Sequence, residues 1–159
     1  MDEFSHIDDE GRVRMVDVTA KADTLRTARA RGIVTMQRNT FDKIKNHQVK
    51  KGNVLETARI AGVMAAKKTA DLIPMCHPLF LSHVAVDFFP DLDSCAIVIE
   101  ASAKLTGPTG VEMEALTAVS VAALTLYDMC KSYDRAMTIS RIELIEKTGG
   151  KSGIFRKAE

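Results

Sequence analysis

The stretch V-E-M-E-A-L-T-A-V-S-V-A-A-L-T-L-Y-D-M-C, residues 111–130, decides the fold of this chain. It is apolar on nearly every side, and its ionised residues are confined to its two ends. A helix of this kind is buried in a core or against another subunit. Its acidic residues would be costly in lipid, and it is short for a membrane span. We therefore expect a soluble, cytoplasmic protein with no membrane partner.

The segments around this helix predict an α+β domain. We expect strands at residues 15–18, 32–36, 81–89, 96–105 and 137–146, and a short helix at residues 40–48. Asn53 with Glu56, and Thr109 with Glu112, have the spacing of a capping box, and the first opens a helix that runs to about Thr69. We therefore predict a ferredoxin-like two-layer sandwich, in which two long helices cover a mostly antiparallel sheet.

The composition sets the class of protein. The 159 residues suit a single domain over 1–159, with residues 1–14 and 148–159 expected to be flexible. A net charge of +1 argues against a nucleic-acid partner, and an aromatic content of 5% with no Trp argues against an RNA-binding sheet. Three cysteines without paired spacing argue against a disulfide framework.

The first end of the long helix follows two glycines and a proline in T-G-P-T-G-V-E-M-E, residues 106–114. A tight turn into a helix N-terminus exposes backbone N–H groups, which can bind an anion or a polar ring. Glu112 is either a ligand contact or only a capping residue. Glu114 lies one turn inside the buried helix, where an unpaired carboxylate is costly. It needs a basic partner or a ligand that donates hydrogen bonds, such as a guanine-like or pterin-like edge.

The other end of the helix carries Y-D-M-C-K, residues 127–131. Asp128 and Lys131 are three residues apart and share a helix face. Two such groups beside an apolar stretch suit general acid/base catalysis, although a surface ion pair is the simpler interpretation. Lys51 precedes a helix start, where the helix dipole opposes a cation. It is either a proton-transfer group or a solvated lysine.

The loop P-M-C-H-P, residues 74–78, holds His77 between two prolines. Such a histidine is either a positioned acid/base or hydrogen-bonding group, or a structural residue. Cys76 is adjacent to His77, and no second pair with metal-ligand spacing exists, so we predict no metal site.

The segment T-G-G-K-S-G, residues 148–153, resembles a phosphate loop but has Ile145 where the first glycine would stand. We reject a nucleotide-hydrolase loop. A lysine on this glycine-rich tail could still close over a phosphorylated ligand. The basic clusters along the chain could likewise converge on an anion or simply be solvated.

Several long segments together resemble the family of molybdenum cofactor biosynthesis protein C, the cyclic pyranopterin monophosphate synthases. They are M-V-D-V-T-x-K (15–21), K-G-N-V beside Lys51, T-A-R-I-A-G-V-M-A-A-K-K-T-A-D-L-I-P-M-C-H-P-L (57–79), T-G-V-E-M-E-A-L-T-A with V-A-A-L-T-L-Y-D-M-C-K (109–131), and E-K-T-G-G-K-S-G (146–153). The resemblance covers nearly the whole chain. It departs in the first dozen residues, the turn near Asp91, and residues 132–142.

The resemblance implies a lyase in molybdopterin synthesis. Such an enzyme converts a 3′,8-cyclised dihydro-GTP into cyclic pyranopterin monophosphate and releases pyrophosphate. It also implies a ferredoxin-like fold and a homohexamer, built as a trimer of dimers with active sites between subunits. No cofactor is required, and whether Mg²⁺ accompanies the pyrophosphate stays open.

The resemblance also assigns roles by position. Asp128, Lys51 and Lys131 form the general acid/base set. The substrate-ring contacts are Met75, Cys76, His77, Glu112, Met113 and Glu114. The triphosphate contacts are Lys21, Arg26, Lys147 and Lys151.

The length of the helix adds a geometric expectation. About 20 residues span roughly 30 Å, so its two ends cannot serve one small substrate within one subunit. We expect them to meet across a subunit interface. A non-catalytic ligand-sensing module is the rival interpretation, because such domains often bind small molecules without chemistry. Asp128 beside Lys131 favours the enzyme.

Overall fold

The protein is built from one β-sheet and a layer of helices. A computed structural model describes residues 6–8 and 10–158. The elements are β1 (Thr24–Thr35), α1 (Arg38–Lys45), α2 (Val54–Ala66), α3 (Thr69–Leu72), β2 (His83–Asp91), β3 (Ala96–Gly107), α4 (Glu112–Cys130), β4 (Thr138–Thr148) and β5 (Phe155–Arg156).

The sheet has five strands in the order β2-β3-β1-β4-β5, and every neighbouring pair is antiparallel. The chain enters at the central strand β1, crosses through the first helices to the edge strand β2, and returns through β3. Helix α4 then carries it to β4 on the other side of β1. This is the connectivity of a ferredoxin-like sandwich, and the predicted fold class is confirmed.

Alternation along β1 separates the two faces of the sheet. Ala28, Ala30 and Val34 are buried beneath the helices. Arg31 lies on the open face, where its guanidinium is 2.9 Å from the carboxylate of Glu100 on β3. A Cβ on Gly32 would lie 2.6 Å from Cγ1 of Val119, so glycine at this position lets α4 approach the sheet closely.

Helix α4 is the core helix of the domain. It has the length and hydropathy of a membrane-spanning helix, but Ala115, Ala118, Ala122 and Leu126 are fully buried in the protein. Helix α2 packs on it through small residues. A Cβ on Gly62 of α2 would lie 2.9 Å from the carbonyl oxygen of Ala118. The interpretation of α4 as a buried helix is therefore correct.

The structure corrects the predicted end of α2 and the predicted cap of α4. Asn53 does cap α2, because its side chain accepts a hydrogen bond from the backbone of Glu56, but α2 ends at Ala66 and not near Thr69. Thr109 does not cap α4. Val111 occupies that position without a side-chain cap, and Glu112 makes an ion pair elsewhere.

Two strand predictions also change. Residues 15–18 are not a strand; they belong to a segment without helix or strand, residues 15–23, which turns at residues 19–20 and which we call the N-terminal strap. The strand expected at residues 32–36 begins earlier, at Thr24. Residues 28–31 of β1 alternate alanine with arginine and lack the β-branched side chains that mark a strand, although Thr24 and Thr27 precede them.

The glycine-rich tail is partly ordered into the sheet. Phe155 and Arg156 form β5, which pairs with Lys147 and Glu146. The flexibility expected for residues 148–159 stays a prediction. So does that of residues 1–14, of which residues 1–5 and 9 lie outside the described residues, as does residue 159.

Candidate active site

A cavity of about 740 Å³ lies where the N-terminal strap, the loop before α4 and the glycine-rich tail meet. We call it the basic cavity, because its walls bring together all four predicted triphosphate contacts: Lys21, Arg26, Lys147 and Lys151. Glu112 also lines it. Four cations around one cavity attract a polyanion, so the predicted phosphate contacts form one site in the fold.

Backbone carbonyls and two glycines hold Arg26 in the basic cavity. Its guanidinium donates to the carbonyl oxygens of Gly107 at 3.3 Å and Pro108 at 3.1 Å. Gly149 and Gly150 pass over it with φ of +99° and +73°, and a Cβ on Gly150 would overlap the guanidinium. Both the left-handed backbone and the close approach require glycine there.

An ion pair joins the first turn of α4 to the end of β4. The ammonium of Lys147 lies 2.8 Å from Oε1 of Glu112, and both side chains are a little over a quarter exposed. Glu112 is therefore not a capping residue, and its carboxylate is paired with Lys147 although it is partly exposed. Its carboxylate lies inside the basic cavity, where it can accept hydrogen bonds from a ligand or hold Lys147.

The three predicted acid/base residues form one cluster at the other end of α4. Nζ of Lys131 lies 2.6 Å from Oδ1 of Asp128, and Nζ of Lys51 donates to the backbone carbonyl of Asp128 at 3.0 Å. The hydrogen bond from Lys131, with the charges of Lys131 and Lys51, lowers the pKa of Asp128. The carboxylate is thus ionised at neutral pH, paired with Lys131 and close enough to Lys51 to be influenced by its charge.

Cys130 lies beneath this cluster and is fully buried. Burial raises the pKa of its thiol to about 11. A protonated, buried thiol is a poor nucleophile, so this cysteine contributes packing to the cluster.

A second cavity of about 240 Å³, which we call the Glu114 cavity, is lined by His77 and Glu114. Glu114 is 4% exposed, and burial raises the pKa of its carboxyl to about 7. This pKa is the net of burial, a hydrogen bond from the backbone of Glu114 that lowers it, and the charge of Glu112 that raises it. Such a carboxyl can donate or accept a proton near neutral pH.

His77 is tied to the N-terminal strap. Its Nε2 lies 2.8 Å from the carbonyl oxygen of Val16, and because a carbonyl only accepts, Nε2 carries the proton. Nδ1 is the ring nitrogen that can meet a ligand. Burial, then the charge of Glu114, raises the pKa of the neighbouring Cys76 thiol.

The remaining predicted ring contacts are less well placed. Met75 is half-buried and Met113 is 37% exposed. Neither of them, nor Cys76, lines the basic cavity or the Glu114 cavity in the described part of the chain. Met113 faces outward from α4, which is where a second subunit could reach it.

One subunit therefore groups the predicted residues at the two ends of α4. Asp128 lies sixteen residues after Glu112 on the same helix, a rise of about 24 Å. The acid/base cluster and the basic cavity are too far apart to act on one small molecule within a subunit.

Several residues that line the cavities are not marked in the sequence. Thr24, Thr27 and Thr148 line the basic cavity, and the Oγ1 atoms of Thr27 and Thr148 are 2.6 Å apart. Lys67 and Lys68 line the Glu114 cavity. The sequence does carry a signal for Lys67 and Lys68: they are adjacent lysines that follow an apolar helix and precede the P-M-C-H-P loop.

The described residues 6–8 and 10–158 contain no cluster of three His, Cys, Asp or Glu side chains that could hold a metal ion. Whether the chain works without a metal or cofactor stays a prediction.

Comparison with known proteins identifies the family. The model of the MoaC family matches residues 15–150. A cyclic pyranopterin monophosphate synthase of Desulforapulum autotrophicum is 69% identical over 155 residues, which cover 98% of this chain and 95% of the relative. The protein of the same name in Desulfatibacillum aliphaticivorans is 62% identical over 98% of both chains. That of Heliobacterium modesticaldum is 57% identical over the full length of both. The chain therefore belongs to the MoaC family.

Proposed function

We propose that the chain is a cyclic pyranopterin monophosphate synthase. It converts (8S)-3′,8-cyclo-7,8-dihydroguanosine 5′-triphosphate into cyclic pyranopterin monophosphate and pyrophosphate, a lyase step of molybdenum cofactor synthesis in the cytoplasm. The observation that carries this proposal is the similarity, over nearly the whole chain, to relatives with that name.

In this proposal the basic cavity takes the triphosphate. Lys21, Arg26, Lys147 and Lys151 neutralise its charge, and Arg26 is held by carbonyls in a fixed orientation before the ligand arrives. A preset guanidinium favours binding because less freedom is lost on association. The same cations hold the pyrophosphate as it leaves. Mg²⁺ could accompany the pyrophosphate there, and no other cofactor is required.

Carboxylates recognise the purine ring of the substrate by hydrogen bonding. Glu112 accepts hydrogen bonds from its N–H groups, and Glu114, with a pKa of about 7, accepts or returns a proton. Nδ1 of His77 adds a further contact, with Met75, Cys76 and Met113 packing at the edge of the ring.

The proton transfers of ring opening and rebuilding fall to the acid/base cluster. Asp128 is the base, because its carboxylate is ionised and accepts from Lys131 at 2.6 Å. Lys131, which donates to this carboxylate, and Lys51, which donates to the backbone carbonyl of Asp128, are the neighbouring amines that carry protons. A carboxylate beside an amine can take a proton from the substrate while the amine supplies one.

The distance along α4 supports a site shared between subunits. We propose a homohexamer, a trimer of dimers, in which the acid/base cluster of one protomer meets the basic cavity of its partner. Ile60 and Met64 of α2 and Leu124 of α4 are each more than half exposed and give the helical layer an apolar surface suited to a subunit contact.

Mixing two impaired variants tests the shared site. Asp128→Ala and Lys147→Ala proteins, dissociated, reassembled together and assayed at a substrate concentration well below KM, should regain wild-type activity in about a quarter of the sites, by random pairing of protomers. Light scattering of the wild-type protein should give six times the 17.4 kDa chain mass. No regained activity in mixed particles would contradict a site built from two protomers.

The activity itself is tested by incubating the protein with the cyclised dihydro-GTP and identifying the pterin product by mass. Product formation supports the synthase. Tight binding of the precursor without any product would instead favour a non-catalytic ligand-sensing module.

A further inference from the structure

The N-terminal strap carries Lys21 into the basic cavity, and His77 is the side chain that holds it. We propose that His77 is a positioning residue for the phosphate site: through the carbonyl of Val16 it fixes the strap and so places the ammonium of Lys21. This inference rests on the proposed function, in which His77 is otherwise a contact to the substrate ring.

The hydrogen bond from His77 is short, and the loop that donates it is conformationally restricted. Nε2 of His77 donates to the carbonyl oxygen of Val16 at 2.8 Å. Pro74 and Pro78 restrict the loop that carries His77, and the backbone N–H of Cys76 donates to the carbonyl of Ile73 at 3.1 Å. The imidazole is half-buried, so this hydrogen bond is partly protected from water.

Turns inside the strap transmit this restraint to Lys21. Oδ1 of Asp17 accepts from the backbone N–H of Thr19 at 2.9 Å, and the N–H of Lys21 donates to the carbonyl of Val18 at 3.0 Å. Val16 and Lys21 are only five residues apart, and these bonds fold the chain between them. Moving Val16 therefore moves Lys21.

Little else holds the strap. Between residues 15 and 23 all side chains but Val16 and Val18 are exposed. Among the hydrogen bonds recorded for residues 6–8 and 10–158, the one from His77 is the bond that joins the strap to the rest of the fold. Exposed segments with few buried contacts open locally at low cost. Loss of this bond should therefore release the strap without unfolding the domain.

The arrangement links the two cavities of one subunit. His77 lines the Glu114 cavity and Lys21 lines the basic cavity. A histidine that only contacted the ring would affect the ring alone. A histidine that holds the strap also affects the binding of an anion that has no ring.

Pyrophosphate is the probe that separates these two roles. Calorimetry on the full chain would compare His77→Ala, His77→Gln, Lys21→Ala and the double variant His77→Ala/Lys21→Ala. His83→Ala is the matched control, because His83 is an exposed histidine on β2. Amide hydrogen exchange of residues 15–23 in the same proteins reports whether the strap opens.

We expect His77→Ala to weaken pyrophosphate binding up to about tenfold, the worth of one hydrogen bond. Exchange in the strap should rise, and the double variant should bind no more weakly than Lys21→Ala. Glutamine, which keeps a donor, should restore both readouts in part. In steady state, His77→Ala should raise KM more than it lowers kcat.

Unchanged exchange in His77→Ala, or a double variant weakened by the product of the two single effects, would overturn the positioning role. A wild-type protein that makes no pterin product would instead contradict the proposed function. The exchange comparison would still decide whether His77 holds the strap.

Discussion

Lys147 at the end of β4 lies 2.8 Å from the carboxylate of Glu112 in the first turn of α4, inside the basic cavity. Two residues assigned to different parts of the substrate therefore hold each other. An anionic ligand must compete with Glu112 for Lys147. When the ligand binds Lys147, the carboxylate of Glu112 becomes free to contact the substrate ring. Phosphate binding and ring recognition are thereby coupled through one ion pair.

The first prediction concerns this pair. Lys147→Ala should raise KM about tenfold at low salt, because one charge-assisted contact to phosphate is lost. Glu112→Gln should bind pyrophosphate up to about fivefold more tightly than wild type, because a partly exposed ion pair no longer competes. Calorimetry with pyrophosphate checks the second effect. Weaker binding by Glu112→Gln would show that the pair does not oppose the anion.

The second prediction concerns the glycine that covers Arg26. Gly150→Ala should weaken pyrophosphate binding, because its Cβ would displace the guanidinium. Gly153→Ala is the matched control: its φ is +65°, but nothing lies within 4 Å of the added Cβ. Both variants carry the strain of a left-handed residue, about 1 kcal/mol. Equal affinities of the two variants for pyrophosphate would count against a role for the Arg26 contact.

The third prediction concerns proton transfer. Asp128→Ala should fold and bind substrate but lose turnover by about 10²- to 10⁴-fold, because a positioned general base is removed. The side chain of Asp128 is 62% exposed, so the melting temperature should stay near that of wild type. Asp93→Ala, in the exposed turn after β2, serves as the control. Near-normal turnover in Asp128→Ala would remove this residue from the acid/base set.

The fourth prediction concerns the buried carboxyl of Glu114. Its pKa is raised from 4.5 to about 7, so the folded chain binds more protons than the unfolded chain between these values. Stability should therefore fall as pH rises from about 4.5 to about 7, by on the order of 3 kcal/mol. Glu114→Gln should remove most of that decline.

Urea titrations at several pH values would measure this difference. Glu143 provides the opposite case, because the hydrogen bond from Lys157 lowers the pKa of its carboxyl. Its contribution is present at neutral pH and is lost as pH falls through its folded pKa. A Glu114→Gln protein with the same pH dependence as wild type would contradict the burial argument.

The fold was predictable because its elements carry local signals. Asn53 marks the start of α2, the β-branched residues of β3 alternate inward and outward, and the apolar length of α4 identifies the core helix. The first half of β1 was not predictable in this way. Its small alanines fit beneath α4, and such packing depends on a helix about ninety residues further along the chain.

The site residues likewise divide into those with a local sequence signal and those brought together only by the fold. Asp128 and Lys131 share a helix turn, so their pairing follows from spacing alone. The sequence allows Glu112 to be either a capping residue or a ligand contact; in the fold it pairs with Lys147, thirty-five residues away in the chain. The bond between His77 and Val16 spans sixty-one residues. Contacts of this range depend on the folded topology, and no local pattern marks them.

The synthase activity is tested most directly by the release of pyrophosphate from the cyclised dihydro-GTP, measured side by side with the pterin product for wild type and Asp128→Ala. We expect equal amounts of pyrophosphate and pterin from the wild-type protein, and neither from the variant in the same time. Unchanged precursor with wild-type protein, or equal product from both proteins, would contradict this expectation.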